Sequence, residues 1–332
     1  FTRANPKAVT AVVGCYSQIG ASTLAEIPGV DYVIGNQEKM NLLDYLGEEK
    51  TERPVIIRER IDREDFSLSI VGEASFARRA NLKVQDGCDF MCSFCIIPFA
   101  RGRARSRDFG NLLEEARSLV DRGVREIVLT GVNLGTYFSR GRDFLAVVEA
   151  LSEISGLSRI RISSIEPTTI SEELFPLMAD SSHPLLPYLH IPLQSGCDRT
   201  LAAMKRNYDL NEVSSFVRSA SQVIPNLYLG TDLMAGFPGE TVEDFEQTCS
   251  TFLDLPFAYC HVFTFSERDG THAHRLSNSV PMNERRSRSS RLRRLSSAKR
   301  HDFYEAQVGQ EATVLIEDSK DGCWPGYTEN YV

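Results

Sequence analysis

Across 332 residues no apolar run comes near the ~18 that a membrane-spanning helix needs. The opening Phe1-Thr2-Arg3-Ala4-Asn5-Pro6-Lys7 has no apolar signal core either, so the expected location is cytoplasmic. The eight cysteines are thinly spread apart from one bunch, which excludes a secreted disulfide framework and suits reduced thiols or metal ligands. Internal repeats are absent, and the only biased tract is the Arg/Ser mixture of Arg285 to Ser297. An overall positive excess is missing as well. The formal net charge is −8, which excludes a protein whose whole surface grips nucleic acid.

What is present is close to the globular average, 42% hydrophobic and 25% charged, over a length that suggests two or three domains. Positive charge is local. Glu284 to Arg300 holds eight basic residues and one acid, and its +7 against a total of −8 leaves −15 elsewhere. Such a segment suits either an anionic partner such as RNA or a solvated helix.

Residues 1–75 read as an open α/β unit, with a strand Ala8 to Val13, a helical stretch from about Gln18, a strand Tyr32-Val33-Ile34 and a helix around Lys39 to Leu46. Phe1 to Pro6 resembles the end of a helix turning into a strand, so the front of this unit is expected to be missing from the chain. Over residues 76–282 strands alternate with amphipathic helices, the signature of βαβ units with parallel strands. Six strands are expected, at Leu82 to Gln85, Glu126 to Thr130, Arg159 to Ser163, Tyr188 to Pro192, Leu227 to Met234 and Tyr259 to Phe265. In the first intervening helix Asp108 can cap, Leu112, Leu113, Ala116, Leu119 and Val120 form one stripe, and Gly123 can end it. Six such strands make a doubly wound sheet or an incomplete barrel, and in both the chemistry collects at the carboxyl ends of the strands. A basic connecting helix over 283–307 leads to residues 308–332, where the alternation of Glu311 to Glu317 suits a strand of a small β unit that is expected to be cut short.

Just past the first of those strand ends lies Gly87-Cys88-Asp89-Phe90-Met91-Cys92-Ser93-Phe94-Cys95. Thiolates spaced C-x3-C-x2-C can hold three irons of a 4Fe-4S cubane and leave the fourth open to another molecule. Zinc competes, but structural zinc takes four ligands, no second cysteine pair exists here, and His183 and His190 are distant in sequence. An iron with a vacant position can bind the amino and carboxylate groups of S-adenosyl-L-methionine. One electron then breaks a carbon-sulfur bond, chemistry suited to C–H bonds that no side-chain base could ionise.

Polar and small residues recur at the later strand ends. Gly131 lets backbone approach a ligand and Asn133 offers both donor and acceptor, although Thr130 to Gly135 could be a plain strand-to-helix turn. Ser163, Ser164 and Glu166 could bond ribose hydroxyls or an amine, or form an ordinary exposed turn. Gln194, Asp232, Gly236, Pro238 and Glu240 complete a polar ring around the expected cofactor pocket, with Asp232 alternatively a buried structural acid. Phe94 reads equally as a shield for the cluster stacked near adenine and as core filler. Arg101, Arg103, Arg105 and Arg107 alternate after the cysteine loop and would all point one way if extended, toward phosphate or an anionic substrate group rather than plain solvent. Cys15, in Val13-Gly14-Cys15-Tyr16-Ser17-Gln18, sits at a strand end, where a lone cysteine is most often a buried thiol.

On Cys88, Cys92 and Cys95 the chain resembles the radical S-adenosylmethionine superfamily, whose fold is a partial six-stranded (β/α) barrel. Leu82 to Gly87, Ile96 to Arg103, Leu193-Gln194-Ser195-Gly196, Gly236 to Thr241, His261-Val262-Phe263 and Gly270-Thr271 resemble the methylthiotransferases within it, specifically those acting on threonylcarbamoyladenosine in tRNA. The resemblance implies replacement of the C2 hydrogen of N6-threonylcarbamoyladenosine next to the anticodon, at position 37, by a methylthio group, using two molecules of S-adenosylmethionine. It implies contacts from Gly131 and Asn133 to the methionyl amino group. Cys15 would be one ligand of a second 4Fe-4S cluster, whose other cysteines belong upstream of Phe1. Partners implied are the tRNA anticodon stem-loop and an electron donor of flavodoxin or ferredoxin type, and Gly326 to Asn330 looks like the start of an RNA-binding TRAM domain that, with the basic helix, would hold the tRNA. Sister enzymes acting on isopentenyladenosine or on a ribosomal-protein aspartate, and an incomplete Fe-S or RNA-binding fragment, are the rival readings.

Overall fold

The computed structural model describes residues 2–69, 78–317, 319 and 321–332. Phe1 and the domain boundary expected at residues 75 and 76 lie outside them.

The first unit is a small parallel sheet of β1 (Ala11–Val13), β2 (Tyr32–Ile34) and β3 (Val55–Ile57), with α1 (Cys15–Ile19) and α2 (Ala21–Ala25) after the first strand. The helical stretch is broken at Gly20, where a Cβ would lie 2.8 Å from the Tyr16 ring. The helix expected around Lys39 to Leu46 is a 3-10 helix over Lys39–Asp44, with Asn41 out of helical geometry. Asp31 ties the unit together: its carboxylate accepts from the Thr10 amide at 2.8 Å, Lys50 Nζ at 2.8 Å and the Thr51 amide at 3.1 Å.

The second unit begins with β4 (Arg79–Lys83), β5 (Gln85–Asp86), α3 (Ile97–Arg101), β6 (Arg105–Ser106), α4 (Phe109–Asp121) and β7 (Glu126–Thr130). A short hairpin, β8 (Phe138–Ser139) and β9 (Arg142–Asp143), precedes α5 (Phe144–Ser152), β10 (Arg159–Ile162), α6 (Leu174–Ala179) and β11 (Tyr188–His190). Then come α7 (Asp198–Ala203), α8 (Leu210–Val223), β12 (Tyr228–Ala235), α9 (Val242–Asp254) and β13 (Tyr259–Thr264). Asp108, Asp143, Asp209 and Thr241 cap the four longer helices α4, α5, α8 and α9.

Strands β4, β7 and β10 pair in parallel, as do β11, β12 and β13. A parallel bridge between Ile160 and Leu185 joins the two sets, so six strands stand side by side with β7 between β4 and β10 and the rest in chain order. That order is β4-β7-β10-β11-β12-β13, which never reverses. A chain wound in one direction curls toward a barrel, whereas a doubly wound sheet reverses at a switch point. Alternation then assigns the two faces. Leu82, Ile127, Leu129, Ile160, Ile162, Leu189, Leu229 and Leu233 meet the apolar stripes of the helices in one core. The opposite face is mostly polar, carrying Asn81, Lys83, Arg161, His190, Asp232 and His261 beside Val128 and Met234.

The amino ends of the strands are closed. Arg161 donates to Glu126 Oε1 at 2.9 Å and to the carbonyl of Glu329 at 2.9 Å, and its guanidinium lies 3.7 Å from the Tyr331 ring. Tyr331 meets Tyr188 edge-on at 4.8 Å. Glu329 and Tyr331 belong to the last segment, where β14 (Leu315–Ile316) pairs antiparallel with β15 (Gly326–Tyr327); the strand expected over Glu311 to Glu317 is confined to two residues near its end.

Between them runs α10 (Met282–Gln307). Neither a solvated nor a free RNA-facing helix describes it fully, because much of its charge is already paired. Arg285 is buried and bonds Glu267 at 2.6 Å, and Arg288 is buried on Glu240 at 2.7 Å. Arg291 pairs with Glu246, while Lys299 donates to the Leu255 carbonyl at 2.8 Å.

Candidate active site

The cysteine loop leaves the end of β5 and is fixed from two sides. The Ser93 amide donates to the Met204 carbonyl at 2.9 Å, Ser93 Oγ to the Ala203 carbonyl at 2.9 Å, and the Ala273 amide to the Ser93 carbonyl at 2.7 Å. Cys88 and Cys92 are buried and Cys95 is half-buried. Burial pushes the Cys88 thiol up to about 11, with repulsion from Cys92 and Cys95 adding to it. Burial also raises Cys92 and Cys95. Three neighbouring thiols in that state become thiolates together only against a strong local cation, which a coordinating metal core provides.

Three thiols on one loop are a donor set that suits a cluster, and among the described residues no three Cys, His, Asp or Glu side chains are already gathered about one point. A cubane asks each thiolate to hold its own iron. Cys92 Sγ also accepts from Arg206 Nη1 at 3.0 Å. The Arg206 side chain is buried, donates from Nε to Tyr208 Oη at 2.9 Å, and pairs with Glu166. Burial raises the Glu166 carboxyl, and Arg206 opposes that shift.

Gln85, wholly buried, links this loop to the next strand end. Its Nε2 donates to the carbonyls of Asp86 at 3.0 Å and Gly87 at 2.8 Å, and its Oε1 accepts the amides of Val132 at 2.9 Å and Asn133 at 3.0 Å. Gly131 has room for no side chain, since a Cβ would lie 2.9 Å from Leu134 and 3.1 Å from Gln85 Oε1. Asn133 Oδ1 accepts from Thr169 Oγ1 at 2.8 Å, while its buried Nδ2 has no partner among the described residues. A buried amide hydrogen without an acceptor is costly, and a bound carboxylate or hydroxyl would satisfy it.

The other strand ends contribute as follows. Ser163 and Ser164 are half-buried beside Glu166 in sequence. Gln194 is buried at a left-handed φ of 71°, with its amide on the Asp232 carbonyl at 2.7 Å. Asp232 Oδ1 pairs with His190 Nε2 at 2.9 Å; it is neither fully buried nor unpartnered. Gly236 has φ 79°, and a Cβ there would strike Arg285 Cγ at 2.3 Å; Glu240 Oε2 accepts its amide at 2.7 Å. Pro238 lies in the same turn, between Gly236 and Gly239. Phe94 packs beside Met204, Phe237, Phe265 and Ala273.

The four alternating arginines do not share one face. Only Arg105–Ser106 is extended, and Arg101 ends a helical turn. Arg107 is fully buried, donating to Asn111 Oδ1 at 2.8 Å and pairing with Glu115, so it has no reach toward RNA. Arg105 is largely covered by Asp62 and Asp86. Arg101 bonds Asp86 at 3.2 Å and Arg103 lies 3.8 Å from Asp89, both keeping partial exposure. Cys15 begins α1, which packs on α3, and the Arg101 guanidinium that ends α3 feels its side chain electrostatically.

Sequence reasoning missed Gln85, Thr169 and Arg206. Gln85 was assigned only as a strand end, and Lys205-Arg206-Asn207 carries the composition of a surface turn. Nothing local says that Arg206 folds back onto Cys92.

A family model described as the Radical SAM superfamily matches residues 82–252. Similar proteins include threonylcarbamoyladenosine tRNA methylthiotransferase MtaB of Bacillus subtilis (strain 168), 36% identical with 99% of this chain and 75% of that protein covered. MtaB of Aquifex aeolicus (strain VF5) is 36% identical, covering 99% and 80%. The tRNA-2-methylthio-N(6)-dimethylallyladenosine synthase of Cereibacter sphaeroides is 35% identical, covering 97% and 73%. Among solved structures, coproporphyrinogen III oxidase (HemN) from Escherichia coli, a radical SAM enzyme, superposes with TM-score 0.51 at 15% identity, over 66% of this chain and 52% of that one. The radical S-adenosylmethionine methyltransferase TsrM from Kitasatospora setae gives TM-score 0.50 at 17% identity, over 58% and 38%. These two likenesses are of fold.

Proposed function

This chain belongs to the radical SAM superfamily and is a methylthiotransferase of the MtaB kind, and from that we propose that it methylthiolates C2 of N6-threonylcarbamoyladenosine at position 37 of tRNA. The observation that carries the reaction type is the set of three thiols on one loop past a strand end, two of them buried and one half-buried, with Arg206 on Cys92. Similarity to MtaB over 99% of the chain supports the choice of nucleoside.

A 4Fe-4S cluster held by Cys88, Cys92 and Cys95 would supply one electron to S-adenosylmethionine, and so the means to attack an unactivated C–H bond. The chain's own residues bind and orient. Asn133 Nδ2 would donate to an acceptor on the cofactor, while Thr169 holds its other end and Gln85 fixes the backbone of that turn. Glu166 would meet the amino group, and Arg206 offsets part of the rise that burial imposes on its carboxyl. Gly131 and Gly236 keep the walls thin, and Gln194, Asp232 and Ser164 line the same ring. Phe94 and Pro238 shape it by packing. We read the sheet as the partial barrel of the superfamily, residues 308–332 as the start of a TRAM-like domain, and Cys15 as one ligand toward a second cluster. Arg101 and Arg103 are the members of the arginine series left to meet the substrate. Delivery of the electron would fall to a flavodoxin- or ferredoxin-type donor.

Mass spectrometry of tRNA nucleosides from a deletion strain tests the substrate. Loss of the methylthio form of threonylcarbamoyladenosine alone is expected. Loss of methylthio-isopentenyladenosine instead would favour the sister activity, which the 35% identity to the dimethylallyladenosine synthase keeps as the second reading.

A further inference from the structure

Outside the strand-end ring, a groove of about 350 Å³ separates the first unit from the cysteine loop and α3. Its lining includes Gln18, which follows Cys15 closely in α1, and Ile61. Phe99, 50% exposed, and Met91, 45% exposed, form one apolar side. Arg60, Arg63 and Arg103 supply the charge. Arg60 and Arg63 are exposed and have no hydrogen-bond or ion-pair partner among the described residues. Phe99 and Met91 also border a second cavity, of about 180 Å³, whose lining includes Cys92, Cys95, Lys205 and Arg275.

Exposed apolar side chains beside unpaired guanidiniums, in a chain of net charge −8, call for a specific occupant. Three arginines rather than lysines offer planar forks that match phosphate oxygens. A half-exposed phenylalanine offers a ring face that any base can stack on, and the concavity suits one nucleotide better than the flat face of a folded protein. Resting on the tRNA reading above, we propose that this groove seats a nucleotide flanking the target adenosine in the single-stranded loop. Its base would stack on Phe99 and Met91, and Arg60, Arg63 and Arg103 would hold the adjoining phosphates. The target can then reach the strand-end ring while its neighbour is anchored outside it. Of the arginine series after the cysteine loop Arg103 alone takes part, joined by Arg60 and Arg63, which only the folded chain brings beside Phe99.

The test is binding of a fluorescent anticodon stem-loop RNA to the whole chain, by anisotropy across a salt series. Phe99→Trp should keep the wild-type affinity and Phe99→Ala should weaken it roughly tenfold. Arg60→Ala/Arg63→Ala should lower the slope of log affinity against log salt by about 1.4, at ~0.7 per phosphate on a single strand. Unchanged affinity and slope in all variants would overturn the inference while leaving the tRNA reading intact. Variants that bind RNA normally but are reduced more slowly by an acidic flavodoxin would overturn it too, marking the groove as an electron-carrier dock. Failure of the unaltered protein to bind the RNA would overturn the tRNA reading, and this inference with it.

Discussion

At the scale of single residues, the site depends on a few buried polar groups whose partners come from far along the chain. Arg206 places a positive charge and an N–H donor 3.0 Å from Cys92 Sγ. Hydrogen bonds to cluster sulfurs help set the reduction potential, so Arg206→Gln should lower the midpoint of the reconstituted cluster by on the order of tens of millivolts. Potentiometric EPR reads this, and Arg206→Lys should recover part of the shift; equal midpoints in all three proteins would exclude the role. Gly236→Ala tests a different constraint. The added Cβ meets Arg285 Cγ at 2.3 Å at a φ of 79°, so a loss of about 2 kcal/mol is expected in denaturant unfolding. The placing of the three cysteines, Asn133, Glu166 and Gln194 in loops just past strand ends was legible in the sequence, whereas Asp232 lies inside β12; their joint role as a site is the reading proposed above. Arg206 and Thr169 were not legible, since each gains its meaning from a contact dozens of residues away.

Elements were legible to the extent that one face of each is apolar. Glu126–Thr130 and Tyr32–Ile34 have the expected bounds, and α4 is capped by Asp108 as its sequence suggests. Charged repeats misled. Arg101 to Arg107 alternate like a strand, but Asn111 and Glu115 on α4 draw Arg107 inward, and α10 turns Arg285 and Arg288 onto Glu267 and Glu240. In the first unit the Asp31 carboxylate plays the corresponding part. Burial alone would raise its pKa, but Lys50 and the amides of Thr10 and Thr51 outweigh burial and hold it below the ordinary 3.8. Its stabilisation is therefore present above pH 3.8 and is lost as pH falls through the lower folded value. Asp31→Asn should cost about 1–3 kcal/mol at neutral pH and flatten that part of the acid dependence. Hydrogen exchange of the β1 and β2 amides across a pH series reads both, and a variant with the same protection and the same acid slope would refute the assignment.

For the whole molecule, the two ends of the six-stranded sheet have separate tasks. The carboxyl ends hold the cysteine loop and its ring; the amino ends are closed by Arg161, Glu126, Tyr188 and Tyr331. Tyr331→Ala should therefore lower stability by about 2 kcal/mol through lost ring and cation contacts, yet leave affinity for S-adenosylmethionine unchanged. Paired thermal unfolding and calorimetric titration would check this, and a matching loss of cofactor affinity would show that the ends are coupled. This division was only half visible in the sequence, because strand order and the polar inner face arise from long-range pairing rather than from any one segment.

The most direct measurement of the central claim is anaerobic incubation of the iron- and sulfide-reconstituted protein with reductant, S-adenosylmethionine and tRNA bearing threonylcarbamoyladenosine, followed by mass spectrometry of nucleosides and of 5'-deoxyadenosine. The predicted result is cofactor cleavage and methylthiolated nucleoside with the native protein, and neither product with Cys92→Ala. Cleavage that persists without Cys92, or a native chain that binds zinc at the three thiols and cleaves nothing, would contradict the account.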